Sequence, residues 1–194
     1  MKTKSTVNKP FIIDNFYPYP NELRDMALEA DYEDWLGPDG QIYKRISRVE
    51  IPGLVTILEN LFGPIEMLGM GFRLNFNEEE PNAAIHSDLG WGTHALVLYL
   101  SDGESGTAFW DHRESQTSRI DVGQSELFEQ ICSEWNQEEK WKLREFVPML
   151  FNRAIIYESA LFHSRYPFKA FGDSPETGRL IAVAFFTPEN RHDS

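Results

Sequence analysis

The run Arg179-Leu-Ile-Ala-Val-Ala-Phe-Phe186 constrains the fold more than any other stretch of the chain. After its first residue it is wholly apolar, which suits a strand buried on both faces, with helices outside the sheet that holds it. By the two-residue period of a strand, Arg179, Ile181, Val183 and Phe185 share one face. Other strand-like runs precede it at Met67–Phe76, from His94, at Thr107–Trp110 and at Ala154–Glu158, with Gly, Pro, Asn and Asp marks between them. Many short strands with turn signals between them predict a mainly β fold with flanking helices. The closest architecture is a double-stranded β-helix, that is, a jelly roll or cupin-like barrel.

The amino-terminal third supplies the helices. Lys9–Phe16 reads as a short strand, and Tyr17-Pro-Tyr-Pro20 breaks it. Asn21 is the expected N-cap of a helix carrying Leu23, Met26, Ala27 and Ala30 on one face. Leu36–Gly40 reads as a turn and Gln41–Val49 as a strand. Leu54, Ile57, Leu58, Leu61 and Phe62 then fall at helical spacing, with Gly63-Pro64 as the stop. Residues 111–147 interrupt the strand pattern. Leu127, Phe128 and Ile131 suit one helix, Asn136–Glu145 suits a second amphipathic helix, and Pro148 ends it. This insertion between two barrel strands is either a solvated excursion or a lid beside the cleft, and Trp135 and Trp141 keep the second reading open.

A chain of 194 residues with no repeat and no low-complexity linker is expected to form one domain over 1–194. The formal net charge of −13 argues against binding to nucleic acid or anionic membranes, both of which need a basic surface. No stretch is long and apolar enough to span a bilayer, and no apolar run follows Met1–Ser5 to make a secretory signal. Cys132 is the only cysteine, which excludes an intramolecular disulfide and fits a reducing compartment. A cytoplasmic location is expected.

The chemistry centres on Ile85-His86-Ser87-Asp88. In a strand, His86 and Asp88 would offer an imidazole and a carboxylate to one point. A third ligand must come from a distance, and His163, after the run Ala154–Phe162, is the best placed. Two histidines and one carboxylate form the facial triad that holds non-haem Fe(II) and leaves positions open. His94, six residues past Asp88, is a weaker ligand candidate and a pocket candidate. Trp91 follows Asp88 in a Gly-flanked loop and either lines the pocket mouth or covers the barrel rim. Trp110 and His112, in Trp110-Asp-His-Arg113, are substrate candidates, with a surface position as the alternative for His112. His192 lies in a polar tail.

The order His86-x-Asp88, then His163, then Arg179 at the head of a strand resembles the Fe(II)/2-oxoglutarate-dependent dioxygenases. The segments His94–Asp102 and Ser105–Phe109 resemble the prolyl-4-hydroxylase-like group of that superfamily. The opening strand, Pro turn and helix are also similar to the start of several of its members. The resemblance covers roughly residues 70–187. It implies Fe(II), O2 and 2-oxoglutarate, and a prime substrate that is hydroxylated as 2-oxoglutarate is decarboxylated. It implies that Arg179 binds the far carboxylate of 2-oxoglutarate through a planar fork that keeps its charge when desolvated, with Arg165 as the rival. Asn75 and Tyr99 are the accompanying cosubstrate candidates, with Asn77 behind Asn75. The prime substrate stays open among a protein side chain, an amino acid and a small metabolite, and the acidic surface favours a neutral or cationic one. Two alternatives stand beside this reading: a metal-dependent cupin-like enzyme that does not use 2-oxoglutarate, and a non-catalytic jelly-roll binding module.

Overall fold

The larger sheet is built around β10 (Arg179–Pro188), which pairs antiparallel with β5 (His94–Tyr99) on one side and β4 (Ile65–Asn75) on the other. The computed structural model describes residues 9–36 and 42–189; residues 1–5, the turn expected at 37–40 and His192 lie outside them. Seven strands form this sheet in the order β1-β8-β5-β10-β4-β3-β2, with β1 Phe11–Ile13, β2 Glu33–Leu36, β3 Ile42–Ser47 and β8 Ala154–Glu158. The smaller sheet runs β7 (Trp141–Pro148), β6 (Gly106–His112), β9 (His163–Tyr166). The two sheets meet through Val97, Tyr99, Ile155, Tyr157 and Ile181 from the larger and Phe109 and Val147 from the smaller. Two antiparallel sheets closed on each other in this way are the jelly-roll, double-stranded β-helix architecture.

The apolar run of β10 is buried on both faces. Leu180, Ala182, Ala184 and Phe186 join Leu96 and Leu98 beneath two helices, α1 (Pro20–Leu28) and α2 (Leu54–Phe62). Leu23 and Ala27 of α1 and Leu54 and Leu58 of α2 face that layer. Each fully buried Leu or Phe contributes roughly 1.5–3 kcal/mol there. The opposite face of β10 carries Arg179, Ile181, Val183 and Phe185 into a cavity between the sheets.

Three expectations need correction. Helix α1 begins at Pro20, with Tyr19 at the N-cap and no side-chain cap, so Asn21 is already inside it and Ala30 lies past its end. Pro suits this place because the first-turn N–H has no helical partner in any case. Residues 136–145 do not form a second helix. A short 3-10 turn, Glu138–Lys140, leads directly into β7, and only α3 (Ser125–Glu134) is helical in the excursion. The register of β7 against β6 shifts between Phe109 and Trp110, which face Glu145 and Leu143, so Arg144 is an extra residue on β7. Such a bulge breaks the two-residue alternation that would mark a strand in the sequence. Finally, His86 and Asp88 do not sit on a regular strand. His86 forms an isolated antiparallel bridge with His163, and Asp88 turns into the 3-10 segment Leu89–Trp91. No helix among the described residues is long and apolar enough to cross a membrane.

Candidate metal centre and its cavity

The backbone brings the two histidines together. His86 N–H donates to the His163 carbonyl at 3.1 Å, and His163 N–H donates back to the His86 carbonyl at 2.9 Å. Such a doubly bonded antiparallel pair places both side chains on one face of the sheet. Their ring centroids are 4.5 Å apart. Asp88 is fixed separately, its N–H donating to the Ser159 carbonyl at 2.7 Å. Each imidazole has its Nδ1 against a carbonyl two residues earlier, Ala84 O at 2.7 Å for His86 and Leu161 O at 3.0 Å for His163. A carbonyl only accepts, so Nδ1 carries the proton and the Nε2 lone pair of the neutral ring points to the centre.

The Asp88 carboxylate sits between the two Nε2 atoms. Oδ1 is 3.6 Å from His86 and Oδ2 is 3.2 Å from His163. One ligand atom from each of the three residues lies within 4.8 Å of the others. Cis ligand atoms about 2.1 Å from a six-coordinate metal stand about 3.0 Å apart, so small side-chain adjustments reach that geometry. The electrostatics suit a cation. Burial would raise the Asp88 pKa, yet the His163 and His86 rings hold it below the usual carboxylate range. Burial, with the charge of His163 beside it, pulls His86 below the usual histidine value. At His163, burial works against the charged ring, but the Asp88 carboxylate outweighs it and raises the pKa.

The triad lies in the wall of a cavity of about 1060 Å³ between the sheets. Arg179 enters this cavity from β10 and is only 4 % exposed. It is register partner to Asn75 on β4, and its Nη1 donates to Asn75 Oδ1 at 3.3 Å. Its guanidinium lies 5.9 Å from the ring of Tyr99, and its Nε is buried without a hydrogen-bond partner. Burial pulls its pKa down to about 10. Arg165, on β9, also reaches the cavity, but Nη1 pairs with Glu79 at 3.1 Å and Nη2 donates to the Phe168 carbonyl at 2.6 Å.

Residues 86–186 match the family described as a family of unknown function, DUF6445. The chain belongs to the DUF6445 family. The matched span opens on His86 and contains Asp88, His163 and Arg179. A search of curated proteins found no match. In fold, this DUF6445 chain is similar to three solved structures. One is the non-heme alpha ketoglutarate dependent epimerase SnoN from nogalamycin biosynthesis, with TM-score 0.53 and 14% identity over 91% of this chain and 76% of that one. Another is the carbocyclase SnoK from the same biosynthesis, with TM-score 0.55 and 11% identity over 91% and 78%. The third is HygX from Streptomyces hygroscopicus with nickel and 2-oxoglutarate bound, with TM-score 0.53 and 13% identity over 92% and 82%.

The other sequence-predicted residues of the DUF6445 chain divide between the cavity and the framework. Trp91 and Asn75 line the cavity. Asn77 is exposed beyond the end of β4. Tyr99 is fully buried beside the cavity, its hydroxyl 2.8 Å from Thr107 Oγ1. His94 stands away from the triad, stacked on Phe186 at 5.4 Å. Trp110 packs behind the cavity wall against Tyr166 and Phe168 and donates from Nε1 to Ser164 Oγ at 3.0 Å. His112 is neither at the surface nor in the cavity. It is fully buried, with Nε2 2.6 Å from Glu134 on α3, so it ties that helix to β6. Phe128, Ile131 and Cys132 of α3, and Trp135 after it, line the cavity.

Sequence reasoning missed Arg73, Tyr43, Trp35 and Tyr157, all in the cavity wall. Tyr157 packs 4.8 Å from the His163 ring, and burial raises its pKa well above the usual tyrosine value. Arg73 did leave a sequence signal, being a lone cation inside the apolar run Met67–Phe76.

Proposed function

We propose that this chain is an Fe(II)- and 2-oxoglutarate-dependent oxygenase of a single domain, with hydroxylation of its prime substrate as the default outcome. His86, Asp88 and His163 are the metal ligands, and Arg179 holds the far carboxylate of the cosubstrate. The observation that carries this reading is one cavity containing both a triad of converging N and O donors and a buried arginine that enters no salt bridge among the described residues. The fold supports it. SnoN and SnoK, of similar fold, are alpha ketoglutarate dependent enzymes, SnoN has been solved with Fe3+ and alpha ketoglutarate, and HygX has been solved with nickel and 2-oxoglutarate.

The donor set fits a non-haem iron, since two neutral imidazoles and one carboxylate leave a face of the metal open. Bound iron and 2-oxoglutarate would supply the oxidative decarboxylation that drives attack on a C–H bond. The chain's own residues supply the positioning. The carbonyls of Ala84 and Leu161 fix the ring orientation of His86 and His163. The low pKa of Asp88 keeps its carboxylate ionised for a cation. Asn75 aims the Arg179 fork, and the buried Tyr99 ring lies 5.9 Å from the guanidinium. Arg165 is a poorer anchor because Glu79 and Phe168 already occupy its donors. Helix α3 forms one wall and is the element proposed to select the prime substrate.

The test is an anaerobic titration of Fe(II)-loaded protein with 2-oxoglutarate. A visible charge-transfer band is expected, reporting bidentate chelation at the iron. A band that never appears, or that persists unchanged in His163→Ala, would sink the reading.

A further inference from the structure

Arg73 feels the Glu79 and Asp88 carboxylates only from a distance. It lies on β4 two residues before Asn75, opposite Ile181 of β10, and faces the same cavity. Its Nε is buried without a hydrogen-bond partner. It enters none of the ion pairs among the described residues. Of the other arginines in the cavity lining besides Arg179, Arg45 pairs with Glu78 and Glu79, Arg165 pairs with Glu79, and Arg48 lies over the Trp35 ring at 5.1 Å. What holds Arg73 is the Tyr43 ring, 5.3 Å from its guanidinium. Tyr43 in turn packs 6.3 Å from the His86 ring, so this cation stands beside the metal ligands.

Charge balance shows what Arg73 is free for. This step rests on the oxygenase reading. A divalent metal, the dianionic cosubstrate, Asp88 and Arg179 together cancel. Arg73 lies outside that balance, and a half-buried cation with a buried, unbonded Nε and no salt bridge among the described residues is costly. The space also exceeds the needs of one small cosubstrate, since about 1060 Å³ is at the upper end of single-ligand pockets. Beside Arg73 the cavity has an aromatic wall. Trp35 is 5.6 Å from Tyr43 and 5.5 Å from Trp91, and Trp91 is 5.8 Å from Phe185.

We propose that the prime substrate is an organic anion, a carboxylate or phosphate on an apolar, flat body, with its charged group on Arg73 and its body against Tyr43, Trp35 and Trp91. The guanidinium fork suits either oxyanion. Arg73 is thus a specificity-determining residue, and its placement beside the triad sets which carbon of the substrate faces the metal.

The experiment uses benzoate and phenyl phosphate as probes, with benzamide as the uncharged control of the same shape. Binding to the anaerobic protein loaded with Fe(II) and 2-oxoglutarate is read by quenching of tryptophan fluorescence, since Trp35 and Trp91 line the cavity. The two anions are expected to bind about tenfold or more tightly than benzamide, the scale of one charge-assisted contact. The stronger of the two identifies a carboxylate or a phosphate as the natural group. Arg73→Gln should abolish the preference, and Arg73→Lys should keep part of it. Equal binding of benzamide, no binding of either anion at millimolar concentration, or a preference that survives Arg73→Gln overturns the proposal. The charge-transfer band is recorded on the same samples. Its loss in Arg73→Gln would assign Arg73 to the cosubstrate and also overturn it. Its absence from the unsubstituted protein would instead overturn the oxygenase reading. The probe series is then run on metal-free Arg179→Gln protein, where an anion preference that depends on Arg73 still supports this site.

Discussion

Arg179 and Arg73 reach the same cavity from neighbouring strands, and their surroundings separate their roles. Arg179 is the deeper, held by Asn75 and walled by Tyr99. Arg179→Ala should raise the 2-oxoglutarate concentration for half-maximal decarboxylation by roughly the 2–5 kcal/mol of a truncated buried charge pair. Arg179→Lys should fall between, because it keeps the charge and loses the fork. Fe(II) binding should survive both. Since burial pulls the Arg179 pKa down to about 10, the group stays charged at neutral pH. An unchanged half-saturation in Arg179→Ala would remove it from the site. What was legible at this scale is the convergence of His86, Asp88 and His163 and the entry of Arg179 into the same cavity. Tyr43 was not, and Arg73 showed only as a lone cation in an apolar run, because a strand residue declares its face only when the register of its neighbours is known. His112 was misplaced for a related reason, since its partner Glu134 is remote in sequence and on a different element.

At the scale of elements, two joints hold the cavity walls. The first is where β3 meets β4. A Cβ on Gly71 would lie 1.9 Å from the Ser47 carbonyl oxygen, which is backbone and cannot swing away. Gly71→Ala should therefore part β3 from β4 and destabilise the fold by about 1–3 kcal/mol, as overpacking does. Gly90→Ala is the control, as nothing lies within 4 Å of its Cβ position. Equal melting temperatures for the two variants would contradict this account. The second joint is His112 to Glu134, with Lys140 3.2 Å from the same carboxylate. Burial would raise the Glu134 pKa, but hydrogen bonds from His112 and Lys140 outweigh it and hold the pKa below its ordinary value. A carboxylate depressed on folding contributes stability above its unfolded pKa and loses it as pH falls through the folded value. The attachment of α3 should therefore weaken as pH drops below about 4.5, the ordinary range of a glutamate. Hydrogen exchange in α3 should show this in the unsubstituted protein and little of it in Glu134→Gln. Helices α2 and α3 were legible from their apolar period. The strand β7 was not, because the extra residue Arg144 breaks its alternation and its edge position leaves it charged.

For the whole molecule, net charge and cavity charge point in opposite directions. The formal charge of −13 suggested a neutral or cationic partner, but a total says nothing about where cations are gathered. Inside, Arg73 and Arg179 enter no salt bridge among the described residues, although Glu78, Glu79, Glu80 and Asp88 share the cavity lining with them. The jelly roll itself was legible, because β10 carries one row of side chains for the helix-covered core and one for the cavity. The proposed ligand set joins His86 and Asp88, on one loop, to His163, on β9, and so should couple metal binding to the stability of the sheet pair. Fe(II) at a hundred times its Kd should add about 2.7 kcal/mol to unfolding. For a chain of this size that is a rise of roughly 5–10 °C in Tm, measured anaerobically by calorimetry. His163→Ala should lose the whole rise, since it removes one ligand and frees Asp88 from its strongest partner. Adding 2-oxoglutarate should raise Tm further only when both the metal and Arg179 are present. A metal-induced rise that survives His163→Ala would place the ion among exposed carboxylates and away from the triad. A rise with 2-oxoglutarate alone, and none with Fe(II), would leave an anion pocket and remove the metal from the centre of this fold.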